Sequence, residues 1–402
     1  MKRAFLILSF LGLALFSVAQ EYVEPWKPGY LDIHSIATGL GEAAVMIMPD
    51  GTTMMMDAGD TFGSRFISRA LPDSSRTAGE WMAKYIKDFT APTGHPSTVD
   101  YFFLTHLHSD HFGCIQAVKP GPHYGLTGVT RVGEEIHFNK IVDRGYPSYD
   151  FPSAERVEKL AGKSLPHYIK FVEYQRDNCG TVPERFVIGS AKQFRMVRDP
   201  KAYDFEIRNI ACNGSVWTGK GLKSRTMYGA DPSKFDENCF SGVILVRYGK
   251  FKYYHGGDLS GGDSKGPQTG RRDFESQVAP LVGRVNAMKA DHHGWKEVMN
   301  PYFLWTLRPD AIVFSCSHIN HPWKDTVQRL NDPLLPGRKL LFPTSDSGRK
   351  QVGEDLWKTM QPWGHILIRV YEGGEKWEVF VLDPETGDYR IKHRTSLMTS
   401  EE

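Results

Sequence analysis

The sequence predicts an α/β layered domain, mixed β-sheets with helices packed outside them, and three observations predict it. Some strands arrive as hairpins: "AAVMIMPDGTTMMMD" turns at Pro-Asp-Gly, "VILVRYGKFKYYH" turns at Tyr248-Gly249, and "HILIRVYEGGEKWEVFVLD" turns through Glu-Gly-Gly-Glu. Others stand between helical stretches, as "VDYFFLT" follows "RTAGEWMAKYIKDF" and "DAIVFSCS" precedes "WKDTVQRL". The loops with the most distinctive chemistry all sit at strand ends, where such a scaffold presents its functional groups.

The elements follow in order. "LDIHSIA" reads as the opening strand and is followed by the first hairpin; residues 76–89 have helical apolar spacing, and residues 99–105 form a short buried strand. From Phe112 to Glu237 the pattern weakens into Gly, Pro and aromatics with two short helical stretches, which we read as a long insertion. Past it come a hairpin, "VNAMKADHHG" as a strand running into a loop, further strands at "DAIVFSCS" and "KLLFPT", and the closing hairpin. The expected organisation is a leader at 20–30 and a single domain at 31–395 with its insertion at about 112–237. A chain of 402 residues, 40% apolar and 24% charged, has enough apolar side chain for one large core, which excludes a disordered or fibrous protein.

The first residues, "MKRAFLILSFLGLALFSVAQE", place Lys2 and Arg3 before an apolar run and small residues at Ser17 and Ala19. That is the anatomy of a secretory signal peptide at 1–19, cut after Ala19, and it implies export to the periplasm or the exterior. The run is shorter than the ~20 residues a spanning helix needs, and no second apolar span follows, so no membrane span is expected after cleavage. Cleavage removes two bases and no acid from a formal charge of +2, leaving none. A protein gripping long nucleic acid carries a basic surplus to displace counterions, so that class is disfavoured, while a small phosphate-containing substrate is not. The five cysteines are widely spaced and include no C-x-x-C, which excludes a cysteine zinc site and leaves room for one disulfide.

Residues 102–111 read "FFLTHLHSDH". Side chains two apart on an extended chain point the same way, so His106, His108 and Asp110 share a face, and His111 turns in as the backbone leaves the strand. Imidazole with carboxylate and no thiolate suits zinc or manganese. Four ligands within six residues crowd a single ion but serve two held ~3.5–4 Å apart. The pattern therefore predicts two divalent metal ions.

"THLHSDH" resembles the H-x-H-x-D-H signature of the metallo-β-lactamase superfamily, and other landmarks follow in order: "MMMDAGD", "HGGDLS" and "ADHHG". "GLGEAAVMIMPDGTTMMMDAG", "NCFSGVILVRYG", "NHPW" and "PTSDSG" resemble in particular the metallo-hydrolase domain of the competence DNA-uptake channel protein. The resemblance spans residues 31 to 382 apart from 112–237. It implies an αββα sandwich of two mixed β-sheets flanked by helices. It implies one ion on His106, His108 and Asp258, and another on Asp110, His111, Asp258 and one of the 291–293 run. His293, against the glycine where the chain turns, is favoured over His292. Asp57 would fix a histidine's tautomer from behind. Where many members carry a further histidine, this chain has Asn238, which predicts a looser first site.

The activity implied is hydrolysis by hydroxide generated between two metal ions, with Asp110 orienting the nucleophile and taking its proton and His321 contacting or protonating the leaving group. Thr344 and Ser345 could donate to a bound anion, and His123, His137 or His167 could reach the first ion. A phosphodiester leads as substrate, a lactone or β-lactam follows, and a catalytically silent metal-stabilised envelope binding protein is the rival of another class. The insert's Tyr124, Tyr146, Tyr149, Phe151 and Tyr168 would suit a small sugar-bearing substrate or pack as a lid. The partner expected is a small molecule.

Overall fold

A computed structural model describes residues 22–39, 41–61, 70–114, 119–227, 231–262, 272–316, 318–337 and 339–401; the signal segment lies outside them. The chain enters a first sheet with β1 (Leu31–Ser35), β2 (Ala43–Ile47), β3 (Thr53–Ala58), β4 (Thr98–Phe103), β5 (His137–Asp143) and β6 (Val182–Arg185). It crosses to a second with β7 (Phe205–Cys212), β8 (Ser215–Trp217), β9 (Ser224–Thr226), β10 (Val243–Tyr248) and β11 (Phe251–His255). That sheet continues with β12 (Ala287–Lys289), β13 (Ala311–Phe314) and β14 (Leu340–Pro343). The chain then returns to the first with β15 (His365–Val370), β16 (Lys376–Leu382), β17 (Ile391–Arg394) and β18 (Met398–Thr399). Spatial order is 17-16-15-1-2-3-4-5-6, with β18 on β16, against 14-13-12-11-10-7-8-9.

Each sheet is apolar on both faces, which is why its strands read as continuous runs. In "TMMMDA", Met54 and Met56 join Phe103, Ile244 and Val313 between the sheets, while Met55 joins Phe102, Tyr85 and Phe171 under the helices of the first sheet. The helix Ala78–Thr90 starts at a capping box in which Thr77 and Glu80 satisfy each other's backbone N–H groups. Helices Glu275–Val282, Pro301–Leu307 and Lys324–Leu330 cover the other outer face through Val278, Phe303 and Val327. The result is the four-layered αββα sandwich of two mixed sheets.

Topology decides where chemistry can sit. Strands β3, β4 and β5 run parallel, as do β11, β12, β13 and β14. Parallel sheets expose loops at their carboxyl ends, and ligands bind there. Both sheets present that edge to the same place.

The 112–237 stretch carries more structure than its pattern suggests, with helices Gly128–Val132, Ala154–Ala161 and Leu165–Asn178 and strands belonging to both sheets. Its edge strands, "VPER" and "SRT", are partly or wholly exposed and show no alternation to read. The insert's aromatics pack inward. Tyr124, Tyr149 and Tyr168 are buried under the first sheet with Tyr146 against them, and Phe151 packs on the second sheet's cluster. Tyr149 and Tyr168 donate to Asp143 Oδ2 at 2.8 and 2.9 Å. Of the two uses the sequence left open for these rings, packing is the one seen here. The five cysteines form no disulfide, four of them being buried and Cys179 exposed, so the one possible disulfide read from the sequence is not made. No helix of the described residues is long and apolar enough to cross a membrane.

One buried ion pair ties this stretch to the loop after β4. Arg144 grips Glu237 through Nε and Nη2 at 2.6 and 2.5 Å, and Glu237 Oε1 also accepts the Leu107 N–H at 2.8 Å. Both side chains are about fully buried, 1% and 0% exposed, so neither charge has water to fall back on. Removing one partner of such a pair costs about 3–5 kcal/mol. Glu237→Ala is therefore expected to lower the unfolding free energy by about that amount in urea; a loss under about 1 kcal/mol would show the pair contributes little.

Candidate metal centre

Beyond β4 the chain bends at His106 and Leu107, is extended at His108 (φ −98°, ψ 147°) and then closes a single helical turn, Ser109–Phe112. Extended-chain parity therefore does not carry as far as Asp110. Asp110 and His111 are aimed by the helical turn. The loop is pinned from behind, where the Glu42 N–H donates to the Asp110 carbonyl at 2.8 Å. A Cβ on Gly59 would sit 1.7 Å from that same oxygen, so only glycine fits there.

Across from this loop the second sheet supplies Asp258, directly after the Gly256-Gly257 pair that follows β11, and His292 and His293 after β12. Asp258 Oδ2, Asp110 Oδ2 and His111 Nε2 stand 3.2, 3.3 and 3.3 Å from His293 Nε2, and His111 Nε2 stands 3.3 Å from Asp258 Oδ2. A tetrahedral ion with bonds of ~2.0–2.1 Å holds its ligands about 3.3–3.4 Å apart. Three of these atoms, His111 Nε2, Asp258 Oδ2 and His293 Nε2, have the mutual spacing such an ion needs, with Asp110 Oδ2 beside His293, and the N/O composition fits zinc or manganese.

The imidazoles are oriented from behind. His111 Nδ1 contacts Asp57 Oδ2 at 2.8 Å, His293 Nδ1 donates to the Ser315 carbonyl at 2.6 Å, and His106 Nδ1 meets Thr105 Oγ1 at 3.1 Å. Asp57 itself is held by the Thr105 N–H and hydroxyl, both at 2.8 Å, because β3 and β4 pair in parallel and end side by side. Each contact occupies Nδ1 and turns the Nε2 lone pair inward.

Facing the same Asp258 oxygen, His106 Nε2 lies 3.1 Å from His108 Nδ1 and 3.9 Å from Asp258 Oδ2. His292 Nε2 is likewise 3.9 Å from Asp258 Oδ2 and contacts Asn238 Nδ2 at 3.2 Å. Both adjacent histidines thus face the same carboxylate oxygen. His293 also stacks on His321 at a ring separation of 4.6 Å, and the His318 N–H donates to His321 Nδ1 at 3.2 Å.

Electrostatics follow from burial of charge around one point. Burial alone would raise the Asp258 carboxyl, but His293, His111 and Lys289 hold it well below the usual carboxylate range. Burial opposes charge on His111 and His293 too. The surrounding carboxylates, Asp258 first, raise both, His293 to about 9. Asp110 is likewise held low, its burial outweighed by His111 and His293, and keeps 21% of its side chain exposed against 2% for Asp258.

The sequence pattern missed three participants. Lys289 Nζ bridges Asp258 Oδ1 and Glu42 Oε2, each at 3.0 Å, and also reaches the Gly257 carbonyl. Glu42 Oε2 stands 3.3 Å from His293 Nδ1, on the side away from Asp258. Its carboxylate lies within 4.8 Å of donor atoms of His111, Asp258 and His293, and also of Asp57 and His255, but it faces Nδ1 and so positions rather than completes the set. His255 is fully buried beside it, both ring nitrogens lacking a hydrogen-bond partner. A lysine inside the apolar strand "AMK", just before two histidines, was the signal that a buried negative charge lay nearby.

Other candidates are engaged elsewhere. His123 stacks on Tyr174, His167 Nδ1 accepts the Gly125 N–H at 3.3 Å, and His137 opens β5. Thr344 Oγ1 accepts the Cys316 N–H at 2.8 Å and Ser345 Oγ the Ser347 N–H at 3.1 Å, as turn hydroxyls do.

No family model matches the chain. Recombination protein 2 of Haemophilus influenzae is 26% identical over 152 residues, which is 38% of this chain and 18% of that relative's length. Among solved structures, a metallo-β-lactamase fold protein, YhfI from Bacillus subtilis, overlaps at TM-score 0.33 and 10% identity, covering 70% of this chain and 85% of that one. A diphosphatase from the PhnP family overlaps at TM-score 0.35 and 11% identity, covering 86% and 98%. CmlA, a diiron β-hydroxylase from Streptomyces venezuelae, does so at 0.39 and 10%, covering 86% and 55%. These overlaps are partial, and the fold stands on its own layers. Those layers, two mixed sheets with helices over each outer face, are the αββα sandwich that the metallo-β-lactamase resemblance implies.

Proposed function

We propose that this chain is an exported metal-dependent hydrolase with two divalent ions, zinc or manganese, acting on a small phosphodiester-type substrate. The observation that carries the reading is the convergence on Asp258 Oδ2 of imidazole nitrogens from both sides of the site. In this reading Asp110, His111, Asp258 and His293 hold one ion, and His106, His108 and Asp258 hold the other. When bound, such ions bring the pKa of water from 15.7 down toward ~7 and polarise the substrate's oxygen.

The chain's own residues divide the rest of the work. Asp110 stays ionised and alone among the four clustered donors keeps appreciable exposure, so it meets the incoming nucleophile, orients it and accepts its proton. Asp57 and Ser315 lock His111 and His293 in the tautomers that present Nε2. Burial, reinforced by His293, keeps His321 neutral well below its usual pKa, and the backbone N–H at Nδ1 places its proton on Nε2. His321 therefore contacts the leaving oxygen as a hydrogen-bond donor instead of delivering a proton from an imidazolium.

Metal-reconstituted protein is expected to hydrolyse bis(p-nitrophenyl) phosphate, with lactone and β-lactam reporters run alongside. Asp110→Asn should retain folding and a metal complement yet lose about 10²–10⁴-fold in kcat. A wild type inactive on every reporter, with or without metal, would favour the binding-protein reading. Loading also has a proton signature. His293, raised to about 9 by neighbouring carboxylates, carries a proton at pH 7.5 that a metal must displace. Metal affinity should weaken as pH falls below about 9, and calorimetry in buffers of different ionisation enthalpy should show proton release; no release would contradict His293 as a ligand. For export, the protein recovered from its native host is expected to begin at Gln20 by N-terminal sequencing.

A further inference from the structure

The two-ion reading leaves the ends of the site unequal, and the role of His292 depends on that reading. The Asp110 end has four donors, whereas the other end has His106, His108 and the shared Asp258. His292 fills the shortfall on three independent geometric counts. Its Nε2 stands as far from Asp258 Oδ2 as His106 Nε2 does, 3.9 Å in each case. Its Nδ1 contacts Glu297 Oε1 at 2.7 Å, and Glu297 is 7% exposed, so a buried carboxylate fixes this ring just as Asp57 fixes His111. Histidines that bind metals carry such a partner on their other nitrogen.

The backbone gives the third count. His292 and His293 both sit in the left-handed region, φ 41° and 53°, before Gly294 at φ 75°. Non-glycine residues seldom adopt this conformation singly, and two in succession need a reason. Helical or extended geometry would send successive side chains 100° or 180° apart. The left-handed pair instead lets neighbouring imidazoles approach one carboxylate oxygen, Asp258 Oδ2, at 3.9 and 3.2 Å. Beside them, Asn238 Oδ1 is buried with no hydrogen-bond partner while its Nδ2 faces the His292 Nε2 lone pair. The two amide orientations are interchangeable by a flip about the side chain. With the amide turned, an oxygen and an imidazole nitrogen, both electron-pair donors, would face one point.

We propose that His292 Nε2, with the Asn238 amide oxygen beside it, completes the ligand set of the ion held by His106, His108 and Asp258. The consecutive histidines 292 and 293 then serve different ions, and the residue missing from the strand side is supplied from the loop after β12. The neutral reading, a histidine merely packed against Glu297, predicts no effect on metal stoichiometry.

The test is metal binding, not turnover. Apo protein is titrated with Mn²⁺, and stoichiometry is read by elemental analysis after dialysis, with electron paramagnetic resonance to distinguish coupled from isolated ions. The variant is His292→Gly, which removes the donor yet suits a φ of 41°. Wild type should bind two ions with a spin-coupled signal. His292→Gly should keep one, bind the second at least ~10-fold more weakly, and show isolated Mn²⁺; added imidazole should partly restore the second site. Glu297→Gln, which leaves the loop sequence intact, should weaken the same site by about 10-fold. Two ions in both wild type and variants, with unchanged affinity, would overturn this inference and leave the two-ion reading standing. Fewer than two ions in wild type would bring down both.

Discussion

The rest of the site depends on how one buried carboxylate is divided. Lys289 takes Asp258 Oδ1 at 3.0 Å, and this turns Oδ2 alone toward the four imidazoles. A buried ammonium is tolerable only if paired, and Lys289 is paired twice. Burial would drive its proton off, but Glu42 and Asp258 raise its pKa and keep it charged. The cluster therefore carries a fixed cation on one side of Asp258 and four imidazoles on the other. Raised pKa values on His111 and His293 express the same demand, since the carboxylates around them call for positive charge. A divalent ion answers that demand with less crowding than two imidazolium rings 5.1 Å apart.

The long middle stretch belongs to this arrangement and is no mere appendage. It contributes β5 and β6 to one sheet and β7 to β9 to the other, and through Arg144 and Glu237 it fixes the Leu107 amide between two candidate ligands. Its aromatic residues are spent on packing and on Asp143. Beside the site stands Trp295, its ring 5.6–5.9 Å from those of His292, His318 and His321.

Much of this was legible in the sequence for a physical reason. A layered α/β domain must bury both faces of its sheets, and runs such as "TMMMDA" and "AIVF" say so directly. The histidine loop was legible because four metal-binding side chains in six residues have few other uses. Two features were not. Edge strands such as "VPER" and "SRT" carry no burial pattern, since one side of each faces solvent. Glu42 and Lys289 are single charged residues in apolar surroundings, and a single charge shows its meaning only when its partner, distant in sequence, is brought beside it. Extended-chain parity does not reach Asp110, because the chain has already turned helical at Ser109, and His111 turns in there as its place past the strand predicted.

The two faces of the site come from different sheets, and His111 meets His293 across 182 residues of chain. Nothing local can assemble it. The first sheet is completed only by strands that follow the second, so the two edges meet late, once long-range pairing is in place. A cation that bridges them cannot seed that process and acts instead as a latch on the finished sandwich. Its grip belongs to the rate at which the closed molecule comes apart, not to the rate at which it forms.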